Sequence, residues 1–310
     1  MSTFRSSFLS MIDIEKTKMK PYEGFIFLCG GPTDIESPAP ISVRDAIYRE
    51  LAQDENIEKR VRLAEHYKDW AHNSVYNDLV LFENHIAELS SVVVLVLESP
   101  GAIAELGLFS TIEGFQNKLL VLIENSHYAA NSFIKLGPID YLEKLHGNTV
   151  NCYRWLKVVS NKSIFDSNAA EAIQDEIVES INVRLIQPLP EQNFSHESWL
   201  HFALLICDFI NLASALTVRE IRDNLNFLGI NKTESEVKQA LFLLERLNML
   251  IMEPRGDQRF YISIEDRLFF RFSITDSTLD LHRFRIDHLA EYEKNDKKRF
   301  RAIQATRAKS

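Results

Sequence analysis

The chain has 310 residues, which is enough for two domains, and its 45% hydrophobic and 25% charged content is typical of a soluble globular protein. The formal net charge of −9 at pH 7 argues against a general affinity for nucleic acid, and no apolar run approaches the roughly 20 residues that span a bilayer. Three widely separated cysteines lack metal-ligand spacing and indicate reduced thiols, so we expect a cytoplasmic protein that uses neither a metal ion nor a membrane.

The N-terminal segment, residues 1–20, lacks the continuous apolar core of a signal peptide, and we expect a short docking helix there. The domain that follows, residues 21–187, alternates apolar strands with helices. Apolar runs predict strands at 24–29, 92–96, 118–123 and 150–159, and helical spacing predicts helices at 42–53, 77–90 and 168–186. Residues 57–71 are ambiguous, because Val61 and Leu63 alternate as in a short strand whereas the charged residues suit a helix. This alternation predicts an α/β fold with a doubly wound, parallel, Rossmann-like sheet.

The segment around the central strand, 92–96, carries the first candidate for chemistry. Four valines and a leucine predict a strand buried on both faces, Ser99 is the expected N-cap of the next helix, and Pro100 suits its first turn. Glu105 is therefore expected near the helix N-terminus, beyond the carboxyl end of a strand, where open α/β sheets bind ligands. We expect the helix dipole to keep this carboxylate ionised. The alternative is that Glu105 is only a favourable first-turn charge.

The first strand runs into the sequence GGPTD, residues 30–34, which marks a tight turn. Gly30, Gly31 and Thr33 can offer backbone N–H groups and a hydroxyl to a sugar or phosphate, and Asp34 can accept hydrogen bonds from ribose hydroxyls. The alternative is a sharp turn without a ligand. The turn lacks the third glycine of a dinucleotide fingerprint, and the sequence contains no GxxxxGK[ST], HExxH or GxSxG motif. These absences argue against a redox Rossmann enzyme and a P-loop NTPase.

A linker is predicted at residues 188–193 and a second domain at residues 196–265. Three helices, two of them capped by Thr217 and Thr233, precede two short strands that flank residues 253–258. This order is typical of a winged helix. Because acidic and basic side chains balance in this module, protein docking is slightly favoured over autonomous DNA binding.

The last segment, residues 266–310, is predicted to be a basic C-terminal tail. Phe300 interrupts its basic run, so that backbone pairing and base stacking can combine. The candidate nucleic-acid contacts are Lys297, Lys298, Arg299 and Arg301. The alternative is a solvated, partly disordered tail.

Three stretches taken together, FLCGGPTD, FENHIAEL and ESPGAIAELG, resemble the nucleoside deoxyribosyltransferase-like superfamily. Within it, the chain is most similar to effector proteins encoded beside retron reverse transcriptases, in which such a domain is joined to a winged helix. The resemblance covers nearly the whole chain. It implies cleavage or transfer at the N-glycosidic bond between a ribose-type sugar and a base, with Glu105 as the catalytic residue.

The resemblance also implies a substrate site. The glycine turn matches the first substrate loop, and Glu83 and Asn84 fall near the acidic base-recognition position. The substrate-binding residues expected on this basis are Gly30, Gly31, Thr33, Asp34, Glu83, Asn84, Glu98, Ser99 and Gly101. One departure is Ser99, which stands where the transferases usually carry an aspartate. The missing carboxylate weakens proton transfer to the base, which disfavours deoxyribosyl transfer more than hydrolysis and suits a cationic leaving group such as nicotinamide.

We therefore expect the toxic effector of a retron anti-phage system, an N-glycosidase that hydrolyses NAD or a related nucleotide without a cofactor. The resemblance implies that its partners are a retron reverse transcriptase and the RNA-linked single-stranded DNA (msDNA) that this enzyme makes. It also implies a higher-order oligomer in which neighbouring subunits complete the active site. Two other hypotheses remain open: a nucleotide-sensing regulator that binds without cleaving, and a scaffold.

Overall fold

The computed structural model of the protein describes residues 4, 8–63, 65, 75–112, 114–115, 117–187, 190–264, 266–275 and 279–308. The chain divides into two compact units, each of which is considered by itself. The α/β unit comprises the described parts of Glu23–Lys68 and Asp78–Leu189, and the C-terminal unit comprises those of Met1–Tyr22, Asp69–Asn77 and Pro190–Ser310. No helix within these described ranges is long and apolar enough to cross a membrane.

The strands are, in chain order, β1 (Ile12–Met19), β2 (Phe25–Cys29), β3 (Val61–Arg62), β4 (Ser90–Val96), β5 (Leu119–Glu124), β6 (Val150–Tyr153), β7 (Leu156–Val159), β8 (Lys162–Phe165), β9 (Gln192–Asn193), β10 (Leu250–Arg255), β11 (Gln258–Ser263) and β12 (Phe270–Ile274). The α-helices are α1 (Val43–Leu51), α2 (Glu55–Glu58), α3 (Leu79–Glu88), α4 (Pro100–Phe109), α5 (Asn125–Tyr128), α6 (Asp140–Leu145), α7 (Ser167–Leu185), α8 (Trp199–Ala213), α9 (Val218–Phe227), α10 (Glu234–Arg246), α11 (Leu281–Asn295) and α12 (Lys297–Arg307). A 3-10 turn spans Leu9–Met11 and a π-helical turn spans Lys135–Ile139.

The α/β unit is built around a five-stranded parallel sheet with the strand order β3-β2-β4-β5-β6. Its middle strand, β4, contains the run of valines, and residues 92–96 are fully buried, as expected in the centre of a parallel sheet. The chain adds β3 on one side of β2 and then β4, β5 and β6 on the other, so the direction of strand addition reverses between β2 and β4. This mixed α/β architecture agrees with the predicted Rossmann-like sheet.

Local signals place the helices of this unit. The side chains of Ser42, Asp78 and Ser99 accept hydrogen bonds from backbone N–H groups in the first turns of α1, α3 and α4, which confirms Ser99 as the predicted N-cap. The long helix α7 packs along α1. Both helices contribute to an apolar core with the sheet, for example through Ile47 and Ile177.

Two strand predictions in this unit are resolved by the pairing. The ambiguous residues 61–63 contain a strand, because β3 pairs in parallel with β2. The prediction of one strand over residues 150–159 is wrong, because β6 joins the five-stranded sheet whereas β7 pairs with β8 in a separate antiparallel hairpin. The break lies at Trp155, whose side chain is buried in the core of the unit and whose carbonyl accepts a hydrogen bond from the Asp166 N–H.

Within the N-terminal segment, where a short docking helix was expected, Leu9–Met11 form a 3-10 turn and Ile12–Met19 form the strand β1. Residues 1–3 and 5–7 of this segment lie outside the described residues. β1 pairs antiparallel with β12 on one side and with β9 on the other. Along β1, Ile14, Thr17 and Met19 are buried while the residues between them are exposed. β9 lies within the predicted linker, and residues 188–189 of that linker are outside the described residues.

Residues 75–77 also belong to the C-terminal unit, although the predicted boundaries placed them in the first domain. Tyr76 is only 1% exposed. Its hydroxyl donates to the backbone carbonyl of Gln239 at 3.4 Å, and its ring centroid lies 6.1 Å from that of Phe242 on α10. A short internal segment therefore packs on a helix that lies more than 150 residues later in the chain.

Three helices and a hairpin follow in the predicted order. α9 and α10 each begin with a capping box, at Thr217 and Thr233, as their sequence motifs predict. β10 and β11 pair antiparallel. The tight turn between them contains Gly256, whose φ of 62° lies in the left-handed region that glycine adopts without steric cost.

The described C-terminal residues are folded into this unit. β12 pairs with β1, and α12 packs against β10 and β11. Ala302 and Ile303 of α12 share an apolar cluster with Phe260 and Ile262 of β11. The structure therefore corrects both the prediction of a separate basic tail and the alternative of a solvated, partly disordered segment for residues 266–275 and 279–308.

Candidate active site

The candidate site lies in the α/β unit, where the direction of strand addition reverses. The carboxyl ends of β2 and β4 are neighbours there, with Cys29 paired in register with Leu95. Open α/β sheets bind ligands in the crevice at such a switch point. Gly30 and Gly31 follow β2 directly, and Glu98 lies just after β4, so the two predicted loops meet at one edge of the sheet.

Glu105 lies on α4, six residues after the Ser99 N-cap, and α4 has no acidic residue in its first turn. The hypothesis of a favourable first-turn charge is therefore wrong. Burial raises the pKa of Glu105, while a hydrogen bond from the Cys29 thiol and the charge of Arg44 oppose this rise. Glu105 lies beyond the first turn of α4, and a helix dipole acts mainly within that turn, so its immediate neighbours have the larger influence on its ionisation. The Oε2 atom of Glu105 is buried and accepts no hydrogen bond from the described residues.

Glu83 lies on α3 and interacts with Glu105. Burial first, and the neighbouring Glu105 carboxylate second, raise the pKa of Glu83 to about 7. The adjacent Asn84 has a buried Oδ1 atom that receives no hydrogen bond from the part of the chain described. Glu83 and Glu105 are thus close enough for the charge of Glu105 to raise the pKa of Glu83. The role of Glu83 and Asn84 in base recognition stays a prediction.

Cys29 and Arg44 complete this cluster, and the sequence prediction missed both. Burial, followed by the charges of Glu105 and Glu83, raises the pKa of the Cys29 thiol well above its ordinary value, so the thiol keeps its proton. Arg44 is buried on α1 and donates to both carboxylate oxygens of Glu65. The only signals in the sequence were a cysteine before the glycine turn and an arginine in a helix, and neither shows which acid it meets.

Glu98 is used inside the protein. Its Oε1 atom accepts hydrogen bonds from the N–H groups of Gly31 and Arg44, and its Oε2 atom accepts one from Val43, all at 2.9 Å. Glu98 was predicted to bind substrate. Because three backbone donors already occupy this carboxylate, the structure instead assigns it to holding the glycine turn against the start of α1.

Ser99 has a similar internal role. Its hydroxyl donates to the carbonyl of Gly30 at 3.0 Å and accepts from the N–H of Ala102 at 3.2 Å. Gly101, in contrast, is exposed, and an added Cβ there would meet no atom closer than 3.8 Å. Gly101 lies in the first turn of α4, where the structure leaves space beside its backbone.

The rest of the glycine turn is held from α1. Asp45 is fully buried and accepts a hydrogen bond from the N–H of Asp34 at 3.1 Å, and Arg49 donates to the carbonyl of Asp34. The Asp34 carboxylate itself is exposed, and Thr33 is half-buried. Among the described residues, no group of three or more His, Cys, Asp or Glu side chains could hold a metal ion.

The four predicted nucleic-acid contacts fall on α12 and have different environments. Lys297, Lys298 and Arg301 are exposed, and Lys298 pairs with Asp257 at the hairpin turn, 2.7 Å away. Arg299 is buried instead. Its guanidinium group donates to the carbonyl of Ala215 at 2.9 Å and forms ion pairs with the carboxylates of Glu220 and Asp296. The prediction that Arg299 contacts nucleic acid does not agree with this position.

Comparison with known proteins identifies the family. A model of the STM3845 retron effector protein family matches residues 40–252, which is more than half of the chain. The chain belongs to this family. It is similar to "Retron Ec86 putative ribosyltransferase/DNA-binding protein" of Escherichia coli, with 36% identity over 74 residues that cover 24% of each chain. It is also similar to "Retron Ec73 putative ribosyltransferase/DNA-binding protein" of Escherichia coli, with 22% identity over 269 residues that cover 77% of each chain.

The region of this retron effector that matches the family model contains the charged residues of the candidate site but begins after the glycine turn. Arg44, Glu83, Glu98 and Glu105 lie within residues 40–252. The alignment with the Ec86 relative spans about a quarter of that protein, so the activity of the whole relative does not carry over by alignment. The printed names of both relatives describe a putative ribosyltransferase and DNA-binding protein.

Proposed function

We propose that this retron effector is an N-glycosidase that hydrolyses the bond between ribose and base in NAD or a related nucleotide. The observation that carries the proposal is the pair of half-buried, interacting carboxyl groups of Glu83 and Glu105 at the switch point of the parallel sheet. A pair of carboxyl groups with raised pKa values is suited to hold one proton and one negative charge at the same time.

Glu105 is the group proposed to act on the sugar. Breaking the N-glycosidic bond builds positive charge on the ribose in an oxocarbenium-like transition state. A carboxylate with a buried, unengaged oxygen stabilises that charge strongly, because little water screens it. Arg44 and Cys29 both favour the ionised form of Glu105, so the shared proton resides on Glu83.

Glu83 is the group proposed to protonate the leaving base. The carbon–nitrogen bond breaks with its electron pair going to the base, and a neutral base takes one proton from Glu83 as it leaves. Water then adds to the anomeric carbon, and the proton that it loses returns to the Glu83 carboxylate. The pKa of Glu83, about 7, suits a donor near neutral pH. Glu83 thus provides the proton-donating carboxyl group that Ser99 lacks. The proposed leaving groups therefore include neutral bases as well as nicotinamide.

The biological role proposed is a toxic effector in retron anti-phage defence. Support comes from the family match and from the relatives' printed names. Its proposed partners are a retron reverse transcriptase and the RNA-linked single-stranded DNA, in an assembly of several copies. We further propose that α8, α9, α10 and the β10–β11 hairpin form a winged helix that docks in this assembly, with exposed Lys297, Lys298 and Arg301 beside the nucleic acid.

The test is chromatographic. The purified protein, and separately its complex with reverse transcriptase and RNA-linked DNA, is incubated with NAD and a panel of nucleosides and nucleotides. We expect released base from the wild type and a loss of about 10³-fold or more in Glu105→Gln, because the near-isosteric amide cannot stabilise positive charge. The matched control is Glu171→Gln, on the exposed face of α7, which should keep full activity.

Two outcomes would contradict the proposal. Equal base release by the wild type and Glu105→Gln would remove Glu105 from catalysis. Binding of a nucleotide without base release, even in the assembled complex, would favour a nucleotide-sensing regulator instead.

A further inference from the structure

The start of α1 has the geometry of an anion site. The N–H groups of Val43 and Arg44, in the first turn of the helix, and the N–H group of Gly31, in the glycine turn, converge on one point. Helix N-termini preceded by glycine-rich turns attract anions, because their N–H groups lack partners in the helix and the helix dipole is positive at that end. In many nucleotide-binding proteins this geometry holds a phosphate.

The chain supplies its own anion at this point. Both oxygens of the Glu98 carboxylate are engaged, and each of the three hydrogen bonds measures 2.9 Å. Glu98 lies just after β4, on the neighbouring strand of the sheet, so its carboxylate reaches the helix start from outside α1. The fourth donor of this region, the Asp45 N–H, is taken by the Ser42 side chain at 2.9 Å.

The turn is closed tightly around this carboxylate. A Cβ added at Gly31 would lie 2.8 Å from the Cβ of Ser42 and 2.9 Å from Glu98, and one added at Gly30 would lie 3.1 Å from Glu98. Glycine is therefore required at position 31 by close packing on Ser42 and Glu98, and Gly30 packs closely on Arg44 and Val96 as well as on Glu98. No space for a phosphate remains between the turn and the helix start.

We propose that the Glu98 carboxylate is a built-in anion: it occupies the position at the start of α1 where other proteins bind a phosphate. The glycine turn therefore forms a rigid side of the candidate site that does not bind phosphate. This inference rests on the proposed function, because that function identifies the candidate site. Its consequence for substrate choice is specific: the glycine turn accepts only uncharged parts of the substrate, such as ribose hydroxyls. The phosphate of any nucleotide substrate must be bound elsewhere.

The role assigned to Glu98 is positioning. The Glu98 carboxylate contacts backbone N–H groups of the glycine turn and of α1. Helix α1 also carries Arg44, whose charge lowers the pKa of Glu105. Loss of the Glu98 carboxylate frees both the glycine turn and the first helical turn of α1, because it is hydrogen-bonded to both. Activity then depends on Glu98 through the geometry of the crevice.

The experiment uses the full chain with Glu98→Ala. Removing the carboxylate leaves three N–H groups around an empty position, and we expect the unfolding midpoint to fall by about 5 °C. Sodium formate, acetate or phosphate should restore part of this loss, whereas sodium chloride at equal ionic strength should not. The wild type and the control Glu58→Ala, whose side chain is exposed on α2, should show no such specific gain.

Anion rescue separates this inference from the proposed function, because it is measured as stability and needs no turnover. If small anions restore the stability of Glu98→Ala but the wild type releases base from no substrate, Glu98 remains a built-in anion and the N-glycosidase is overturned. An unchanged midpoint in Glu98→Ala, or a loss that no small anion restores, would overturn the inference. If Glu98→Ala releases less base than the wild type and sodium formate restores that release, the inference and the proposed function are both supported.

A second measurement covers the case in which Glu98→Ala does not fold. Hydrogen exchange in the wild type should show slow exchange at the amides of Gly31, Val43 and Arg44. Glu98→Gln offers only one accepting oxygen and should speed exchange at one or more of these amides. Fast exchange at all three amides in the wild type would contradict the built-in anion.

Discussion

At the scale of single residues, three glutamates of the site differ in what surrounds their carboxyl groups. Glu98 accepts three backbone hydrogen bonds, Glu105 has a buried oxygen that the described residues leave unbonded, and Glu83 lies beside Glu105 in a partly buried position. Desolvation disfavours a charged carboxylate, whereas backbone N–H donors stabilise it. These opposite environments divide the proposed roles between positioning, charge stabilisation and proton transfer.

Glu83 gives a prediction for stability against pH. Its pKa is about 7 in the folded protein and 4.5 in its ordinary state, so the folded protein binds this proton more tightly. The stability that this proton contributes is complete below pH 4.5 and is lost as the pH rises to about 7. Above that pH, we expect Glu83→Gln to unfold roughly 2–4 °C higher than the wild type, because the variant has no charge to bury.

The measurement is thermal unfolding of both proteins at a pH near 4.5 and at a pH above 7. Asp208, whose pKa burial also raises to about 7, remains in both proteins and accounts for a pH dependence that they share. Parallel curves for the two proteins over this range would show that Glu83 does not carry a raised pKa.

The site was only partly predictable from the sequence at this scale. The position of Glu105 on the helix after the central strand was predictable, because its distance from an apolar strand is a local pattern. Cys29 and Arg44 were missed because their effect depends on which acids they meet in space. Glu98 was placed among the substrate ligands because the sequence does not show that the start of α1 lies beside β4.

At the scale of elements, the basic run on α12 shows why adjacent charges need not share a surface. Successive residues of an α-helix are separated by about 100°, so four basic residues within one turn or so cannot all face the solvent. Arg299 is the one that points inward, and its guanidinium group also lies over the rings of Phe260 and Tyr292. A charge run read as a sequence motif does not show this division.

Substituting two of these arginines separates a structural role from a binding role. Arg299→Met should lower the free energy of unfolding by about 3 kcal/mol, because it leaves the carboxylates of Glu220 and Asp296 without their buried partner. Arg301→Ala, on the exposed face of α12, should leave stability within about 0.5 kcal/mol. Urea unfolding of both variants provides the measurement.

The same pair tests nucleic-acid contact. Arg301→Ala should weaken association with RNA-linked DNA and lower the slope of log affinity against log salt by about 1. Unchanged affinity in Arg301→Ala at low salt would remove this face of α12 from the proposed interface. Loss of affinity in Arg299→Met is informative only when the variant is shown to be folded.

Elements set by local rules were predicted well, and those set by pairing were not. The capping residues of α1, α4, α9 and α10 follow from a side-chain oxygen that bonds the first helical turn, which is a contact within a few residues. The strand character of β1 and the division between β6 and β7 depend on partners far away in the chain. Propensity gives little information about such partners.

At the scale of the whole molecule, the C-terminal unit is assembled from three separate parts of the chain. A sequence divided into consecutive domains cannot represent this, so the predicted domain at residues 196–265 omits β1, Tyr76 and α12. We expect the fragment 190–310 to unfold without cooperativity in urea. Joining residues 8–22 to it through a flexible linker should restore part of the cooperative transition, because β1 again pairs with β12.

Circular dichroism during urea unfolding measures this difference. The fragment 190–310 joined to a scrambled version of residues 8–22 is the matched control. Equal cooperativity with the native and scrambled segments would show that β1 contributes nothing to this unit.

The pairing of β1 with β12 also has a consequence for the order of events during translation. The ribosome makes β1 first, but its partner at Phe270–Ile274 emerges only after nearly nine-tenths of the 310 codons have been read. The α/β unit, with Glu83 and Glu105, has left the ribosome well before then. For much of its synthesis the nascent chain therefore carries a complete candidate site together with an unpaired, exposed strand edge, which is the stage at which a chaperone or a partner protein has most to act on.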